Sequence, residues 1–245
     1  MSEILAPYND FVKNTFIPAF VLICAIIIAL IIIKIVFTVS KYKKSTYYRE
    51  TAKPFLKVRG DSGCYGEYLT YNYLMPLEKE NCRFLFNVYL PKNNSETSEL
   101  DVVAVLKEGI FVFESKNYSG WIFGNETQKM WTQVLPNGKG KSSKEHFYNP
   151  ILQNAGHIKW LKNIVGEEIP VYSVVVFSER CTFKKLEVSD KIPVIHRNKV
   201  LPTVKAIKSA SDSNIDVEDI YNKLKPYTNV SDEIKQQHID RIKNI

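Results

Sequence analysis

The 245 residues of the chain suffice for one sizeable domain with an appendage, because single hydrophobic cores stop growing only near about 250–300 residues. Hydrophobic residues make up 45% of the chain and aromatic residues 12%, which excludes a mainly disordered protein. The formal charge is +7, and the first 40 residues net to zero, so the excess lies in the remainder. A basic domain suits an anionic partner such as nucleic acid or an anionic membrane face, although lysine-rich surfaces also follow from genome composition.

The four cysteines lie far apart and show no CxxC pair, so their spacing excludes a paired-cysteine zinc or redox site. Cys24 falls in an apolar segment. The other three are interpreted as reduced thiols of a cytosolic domain rather than as disulfides: Cys64, Cys82 and Cys181.

Residues 16–39 form an apolar run in which Lys34 is the only charge. About 20 such residues cross a bilayer as a helix, and Lys34 lies near the end of the run, where it can reach the headgroups. The alternative, a cleaved signal peptide, would have a basic start, a shorter apolar core and a small-residue cleavage site. We therefore predict a transmembrane helix over residues 16–39, after a short extracytoplasmic N-terminus over residues 1–15.

Basic residues crowd the flank that follows the predicted helix, whereas the preceding flank is near neutral. The positive-inside rule then predicts a single-pass protein of the cell membrane with its N-terminus outside and its larger part in the cytoplasm. The basic residues of this flank are Lys41, Lys43, Lys44 and Arg49.

The rest of the chain begins with a basic linker over residues 40–60 and continues with a helix, because apolar residues recur every four positions from Tyr65 to Leu77. Three strands follow, with the sequences CRFLFNVYL, LDVVAVL and IFVFESK. The last two should form a hairpin that turns on Glu108 and Gly109, so that Lys107 pairs with Ile110.

Two short aromatic-rich segments, NYSGWIFG and QKMWTQVL, are predicted as further strands. A second helix follows, in which Asn149 caps the N-terminus and Pro150 occupies the first position. A buried strand, PVYSVVVFS, and a short strand in IPVIHRNKVL come next, followed by helical stretches near residues 202–209, 217–224 and 232–244. This order predicts an α/β domain over residues 61–209, with polar C-terminal helices over residues 210–245.

Three charged residues stand inside the apolar strands of the predicted hairpin: Asp101, Glu114 and Lys116. Strand parity places them on one face, with Asp101 opposite Lys116 in the predicted register. Two converging carboxylates repel unless a cation lies between them, and oxygen ligands suit Mg²⁺ or Mn²⁺. Lys116 would stabilise the charge that develops on an attacked phosphate. The alternative is a plain salt bridge from Lys116 to a carboxylate at a strand end.

Three ordered motifs carry a resemblance to a known family: GEYLTYNYL, ELDVVAVLKEGIFVFESKNYSGWIFG and NPILQNAGHIKWL. From about Gly63 to Phe177 the chain resembles the nuclease-related domain family, NERD, of the PD-(D/E)xK nuclease superfamily. The resemblance implies a restriction-endonuclease-like three-layer α/β/α fold with a mixed central sheet. It also implies a membrane-anchored, divalent-metal-dependent nuclease that hydrolyses phosphodiester bonds in DNA.

The same resemblance implies roles for individual residues. Asp101, Glu114 and the backbone carbonyl of Ser115 would bind the metal, while Glu67 in the first helix would support the metal or its water. Lys116 completes the ExK motif. The family's second-helix glutamine corresponds to Gln153, which would orient water or substrate.

Two other functions remain open at this point. A non-cleaving nucleic-acid-binding or regulatory module could keep the nuclease fold, and a basic scaffold at the membrane surface would explain the charge but not the acidic strand positions. Tyr118, Trp121 and Trp131 could stack on bases, but aromatic residues in short strands favour the core. The histidines show no metal-ligand spacing, which favours surface or satisfied interior roles: His146, His157, His196 and His238.

Overall fold

The computed structural model describes residues 11–93, 96–138, 141–228 and 230–243. The chain divides into two compact units, Met1–Arg49 and Glu50–Ile245. In the first unit, a π-helical segment (Val12–Phe16) leads into helix α1 (Ile17–Lys43). The apolar side chains of α1 are exposed on every side, Phe37 to 70%. The helical span Val12–Lys43 contains an 18-residue stretch with a mean hydropathy of 3.3, so by length and composition it could cross a membrane.

The second unit has an α/β architecture, as predicted. After short helices α2 (Thr46–Thr51) and α3 (Phe55–Gly60) comes α4 (Ser62–Leu74), followed by a 3₁₀ segment (Met75–Glu80). The first strands are β1 (Arg83–Pro91), β2 (Thr97–Leu106), β3 (Gly109–Lys116), β4 (Gly120–Asn125), β5 (Met130–Asn137) and β6 (Lys141–Tyr148).

Helix α5 (Pro150–Val165) precedes β7 (Val171–Phe177), β8 (Cys181–Glu187) and β9 (Val194–His196). The chain continues through a 3₁₀ turn (Arg197–Lys199), α6 (Val200–Ser209), α7 (Val217–Leu224), a second 3₁₀ turn (Lys225–Thr228) and α8 (Asp232–Lys243). Asn149 and Pro150 start α5 as predicted, since the Asn149 side chain accepts a hydrogen bond from the Ile151 amide.

The strands form two sheets, where the sequence predicted one mixed sheet. The larger sheet has the order β1-β2-β3-β7-β9, antiparallel up to β3 and parallel beyond it, and the smaller one has the order β6-β5-β4-β8. The sequence did not predict β6 or β8. Both are largely exposed and polar, so neither carries the alternation of apolar residues by which a strand is recognised.

Helices cover both faces of the larger sheet, which makes a three-layer arrangement. On one face Tyr71 of α4 packs edge-on against Phe84 and Phe86 of β1, with ring centroids 5.2 and 5.3 Å apart. The other face packs against α5 and α7 in a core of strand and helix side chains. Leu161 of α5 and Leu224 of α7 are completely buried in it. The segment after residue 209 thus contributes to the core, because one face of α7 is apolar.

The β2–β3 hairpin turns on Lys107 and Glu108, not on Glu108 and Gly109 as predicted. Gly109 pairs with Leu106, and the Ile110 amide donates to the carbonyl of Pro170, 2.9 Å away. The backbone of Gly109 has φ +140°, and a Cβ atom there would lie 2.6 Å from the same carbonyl. Only glycine fits this close approach. Gly109 therefore belongs to β3, and the turn lies one residue earlier in the chain than predicted.

Candidate functional site

The floor of the site is the end of the β2–β3 hairpin. Val102 pairs with Phe113, so the next step of the register sets Asp101 opposite Glu114 rather than opposite Lys116, which corrects the prediction. The predicted pairing of β2 with β3 is thus shifted by two residues. Because side chains alternate between the two faces of a strand, an even shift leaves Asp101, Glu114 and Lys116 on the predicted face. The Ser115 amide donates to Oδ2 of Asp101 at 2.9 Å, which ties the two strands together.

Glu114 is the most buried charge of the site, with its side chain 1% exposed. Its Oε1 lies 2.8 Å from Nζ of Lys116, and its Oε2 lies 3.3 Å from Nε2 of His157. Within the described part of the chain, this second oxygen accepts no hydrogen bond. Glu114 therefore lies between the ammonium group of Lys116 and the ionisable ring of His157, and its Oε2 atom remains an unused acceptor.

Helix α5 supplies the opposite wall through two residues one turn apart. Nζ of Lys116 donates to Oε1 of Gln153 at 3.0 Å, and Nδ1 of His157 lies 2.6 Å from Oγ of Ser98. Between them, Asn154 donates to the Val112 carbonyl at 2.9 Å and so fastens the helix to β3. The buried amide sets the height of the helix above the sheet, which is why Gln153 and His157 reach the strand residues.

Helix α4 brings Glu67 to the site, where its side chain is 8% exposed. Asn87 of β1 donates to Oε2 of Glu67 at 2.9 Å and accepts from Nζ of Lys53 at 2.7 Å. Asn87 adopts φ +49°, a conformation that asparagine tolerates better than most residues. On the same helix, Thr70 lies 3.0 Å from the hydroxyl of Ser115.

The pKa values of Asp101 and Glu114 are shifted in opposite directions. Burial, together with the charges of Glu114 and Glu67, raises the pKa of Asp101 well above its ordinary value. Burial opposes ionisation of Glu114 as well, but Lys116 and His157 outweigh it and lower the pKa of Glu114 to about 2. Against its own burial, Lys116 has a raised pKa because Glu114 faces it. At neutral pH the Glu114–Lys116 pair is thus ionised, while Asp101 bears the remaining electrostatic repulsion.

The donor chemistry of these residues fits a hard divalent cation. Asp101, Glu114 and Glu67 supply carboxylate oxygens, and the unused Oε2 of Glu114 and the repulsion felt by Asp101 are what such an ion would relieve. In the described residues, however, no three His, Cys, Asp or Glu side chains are grouped closely enough to hold a metal.

One cleft of about 860 Å³, large enough for a nucleotide unit and its neighbours, is lined by Glu67, Asp101, Glu114, Lys116, Gln153 and His157. The cleft also has an apolar rim that includes Met130, Tyr148 and Trp160. Met130 and Tyr148 are exposed, 42% and 38%. Flat and flexible apolar groups around a charged floor suit a ligand that has both bases and phosphates.

The aromatic residues singled out in the sequence divide between core and surface. Trp131 is completely buried and stacks on Phe177 with ring centroids 6.2 Å apart, as the core interpretation predicted. Tyr118 lines the cleft and packs edge-on against Phe147. Trp121, in contrast, is 39% exposed.

The structure brings together Asp101, Glu114, Lys116, Gln153 and Glu67, the five residues that the sequence selected. Ser115 lines the same cleft, and its carbonyl as a metal ligand stays a prediction. The sequence missed six residues that hold these side chains in place: His157, Ser98, Asn87, Lys53, Asn154 and Thr70. His157 had a signal that could have revealed it, since it follows Gln153 by four residues and so shares its helix face.

The other histidines lie apart from this arrangement or at its edge. Nε2 of His196 is 3.1 Å from the Cys181 carbonyl, and the His146 ring lies 3.1 Å from the hydroxyl of Thr132. The side chain of His238 is outside the described part of the structure. His157 is buried, in agreement with the predicted interior role, and its Nε2 atom faces Oε2 of Glu114.

Comparison with known proteins agrees with this geometry. Residues 62–178 match the model of the nuclease-related domain family, NERD. An uncharacterized protein of Bacillus anthracis is 28% identical over 180 residues, which cover 73% of this chain and 82% of that relative. No solved structure matches the chain. The family resemblance of the sequence is thereby confirmed for residues 62–178, the part of the chain that matches the nuclease-related domain family.

Proposed function

We propose that the domain hydrolyses phosphodiester bonds of DNA with the help of a divalent cation, Mg²⁺ or Mn²⁺. The observation that carries the proposal is the ionised Glu114–Lys116 pair, 2.8 Å apart on the cleft floor beside Asp101. A module that only binds phosphate has no use for carboxylates that repel it. Together with the nuclease-related family, this favours chemistry on a phosphate over simple binding.

Asp101, Glu114 and the Ser115 carbonyl would hold the cation, with Glu67 in support. When bound, the cation would activate water for attack on phosphorus and neutralise charge on the phosphate oxygens. Lys116 is charged, so it acts as a cation that stabilises the additional negative charge of the attacked phosphate. Gln153 accepts from Lys116 and holds the ammonium group over the cleft. Its amide NH₂ group can orient the attacking water.

We also propose that residues 16–39, the apolar part of the helical span Val12–Lys43, anchor the protein in the cell membrane, with residues 41–245 in the cytoplasm. The exposure of its apolar side chains supports an anchor, since such a surface is unfavourable in water. Its orientation follows from the basic flank that begins at Lys41. Added protease should cut at exposed Lys141 and Lys144 only after cells are opened. Digestion in intact cells would contradict this orientation and place these residues outside the cell.

A specific observation keeps a second function in view. Glu114 is closed off by Lys116 and His157, and the described acids are not assembled around a metal. A domain that stays in this state would bind nucleic acid without cleaving it. Metal-independent binding without cleavage would support this alternative.

The test uses the full chain in detergent, incubated with linear, circular and single-stranded DNA and with RNA, with Mg²⁺, with Mn²⁺ or with EDTA. Glu114→Gln and Lys116→Ala should each reduce cleavage by at least about a hundredfold, since a charge aimed at the reacting phosphate is removed. Matched controls are Glu218→Gln and Lys223→Ala, two exposed residues in other ion pairs. Equal cleavage by the site variants and the parent would refute the assignment.

A further inference from the structure

A second, smaller cavity of about 370 Å³ adjoins the cleft. Ser62 and Asn117 line both cavities, and Asn117 directly follows Lys116 in the chain. Gly66 of α4 makes this junction tight, because a Cβ atom there would lie 2.8 Å from Cβ of Asn117. The second cavity therefore begins at Asn117, next to Lys116, the residue proposed to stabilise the reacting phosphate.

Three arginines from three separate parts of the fold converge on this second cavity. Arg59 comes from the end of α3, Arg180 from the turn between β7 and β8, and Arg197 from the 3₁₀ turn after β9. Glu179 is the one acidic residue among the lining residues. Three guanidinium groups and one carboxylate leave two net positive charges, an arrangement that favours the binding of an anion.

Arg197 is the fixed member of the group, with only 2% of its surface exposed. It donates to Oδ1 of Asn117 at 3.2 Å and to Oε2 of Glu179 at 3.3 Å. Burial and the neighbouring charge of Arg180 lower the pKa of Arg197, whereas Glu179 offsets this only in part. Its Nε also donates to Oγ1 of Thr70 at 3.4 Å, so all three nitrogens of this buried guanidinium are held in place and it contributes a fixed positive charge to the cavity wall.

Arg180 and Arg59 are exposed, so they are free to meet a ligand from solvent. Arg180 donates to the carbonyl of Asn117 at 2.7 Å and to its Oδ1 at 3.1 Å. Arg59 lies over the ring of Tyr65, with its central carbon 4.4 Å from the ring centroid. Both contacts orient the guanidinium planes and leave donors unused, since each group has five N–H donors.

We infer that this cavity is a phosphate-binding subsite, which holds a phosphate of the nucleic acid strand next to the one that is cleaved. The inference rests on the proposed function and specifies how the substrate strand is positioned. Guanidinium groups match phosphate oxygens in pairs, and two uncompensated charges suit a terminal phosphate dianion even better than a backbone diester. The subsite would hold the strand so that its neighbouring phosphate lies against Lys116.

The experiment measures binding apart from cleavage. The full-length Glu114→Gln chain in detergent is titrated against a fluorescent single-stranded oligonucleotide, with and without a 5′-phosphate or a 3′-phosphate, by anisotropy over a range of salt concentrations. Arg59→Gln and Arg180→Gln are added singly and together, and Arg180→Lys keeps the charge. Arg83→Gln is the matched control, since this exposed arginine lines neither cavity. Arg197 is left intact because its burial makes folding depend on it.

Each glutamine variant should weaken binding about tenfold and reduce the slope of log affinity against log salt by about 0.7, the value for one phosphate contact on a single strand. Arg83→Gln should change neither quantity, and Arg180→Lys should keep the salt slope. A larger loss for one phosphorylated end would identify a terminal phosphate as the ligand, and an equal loss for all oligonucleotides a backbone phosphate. If Glu114→Gln binds none of the oligonucleotides, the proposed function itself fails. If it binds and the arginine variants bind equally well, only the subsite is refuted.

Discussion

Replacing Lys116 with methionine should destabilise the metal-free domain, because it leaves the carboxylate of Glu114 buried without its nearest cation. Removing one partner of a buried pair costs about 3–5 kcal/mol. His157 remains 3.3 Å from the other oxygen and compensates part of the charge, so we expect a loss near the lower limit, about 3 kcal/mol. For a urea dependence of about 2–3 kcal/mol per molar, the unfolding midpoint should fall by about 1 M.

The measurement is urea unfolding of the full chain in detergent with EDTA, followed by fluorescence that includes the fully buried Trp131. Lys116→Arg should retain most of the stability. The exposed pair of Lys223 with Asp219, also 2.8 Å apart, provides the control, and Lys223→Met should cost less than about 1 kcal/mol. Combining Lys116→Met with Glu114→Gln should recover part of the loss, since no charge is left without its partner.

Two results would refute this reasoning. One is a Lys116→Met variant as stable as the parent, which would mean that Glu114 is solvated or protonated in the folded protein. The other is strict additivity in the double variant, because two residues that interact through their charges must show a coupling free energy.

Three further predictions concern other groups of the domain. Asp101→Asn should stabilise the metal-free protein at neutral pH, since the raised pKa of Asp101 means that its contribution to stability is present below its ordinary value of 3.8 and is lost as pH rises through the folded value. Asn149→Ala should cost about 2–4 kcal/mol in urea unfolding, because it removes a helix cap and three donated hydrogen bonds. Cys64 and Cys181 should react slowly with iodoacetamide at pH 8, since burial raises the pKa of each thiol to about 11.

Their controls are simple. The advantage of Asp101→Asn must shrink as the pH is lowered from 8 toward 4, and a constant advantage would contradict the titration argument. Asn149→Asp keeps the cap but not the donors, so a fully stable aspartate variant would show that the donated bonds contribute little. Rapid alkylation of the folded chain, at the rate seen in urea, would contradict the raised pKa of the two thiols.

Strand parity predicted the common face of the three charged strand residues but not their register, and Glu67 and Gln153 were selected only through the family resemblance. Alternation alone set Asp101, Glu114 and Lys116 on one face, because an error of two positions preserves the face. The true register depends on Gly109 and its contact with Pro170, which are more than sixty residues apart by the difference of their numbers. No local pattern contains such a contact.

The parts that the sequence missed share a physical cause. His157 and Asn87 are single polar residues in a helix and a strand, and their roles depend on which elements pack beside them. The strand Lys141–Tyr148 is polar and exposed, so its position in a sheet follows from pairing with Met130–Asn137 rather than from its own composition. Tertiary pairing overrides local propensity in both cases.

Because the chain is synthesised from its N-terminus, the residues of the site are made at different times. The Glu114–Lys116 pair gains its other partners only with Gln153 and His157, which follow the end of the apolar helix at Lys43 by more than a hundred residues. At synthesis rates of roughly 5–20 residues per second, that interval is on the order of 10 s. A ribosome would therefore expose the apolar segment well before the last cleft residues exist, so this segment is available to a membrane while the unfinished chain still has no assembled cleft.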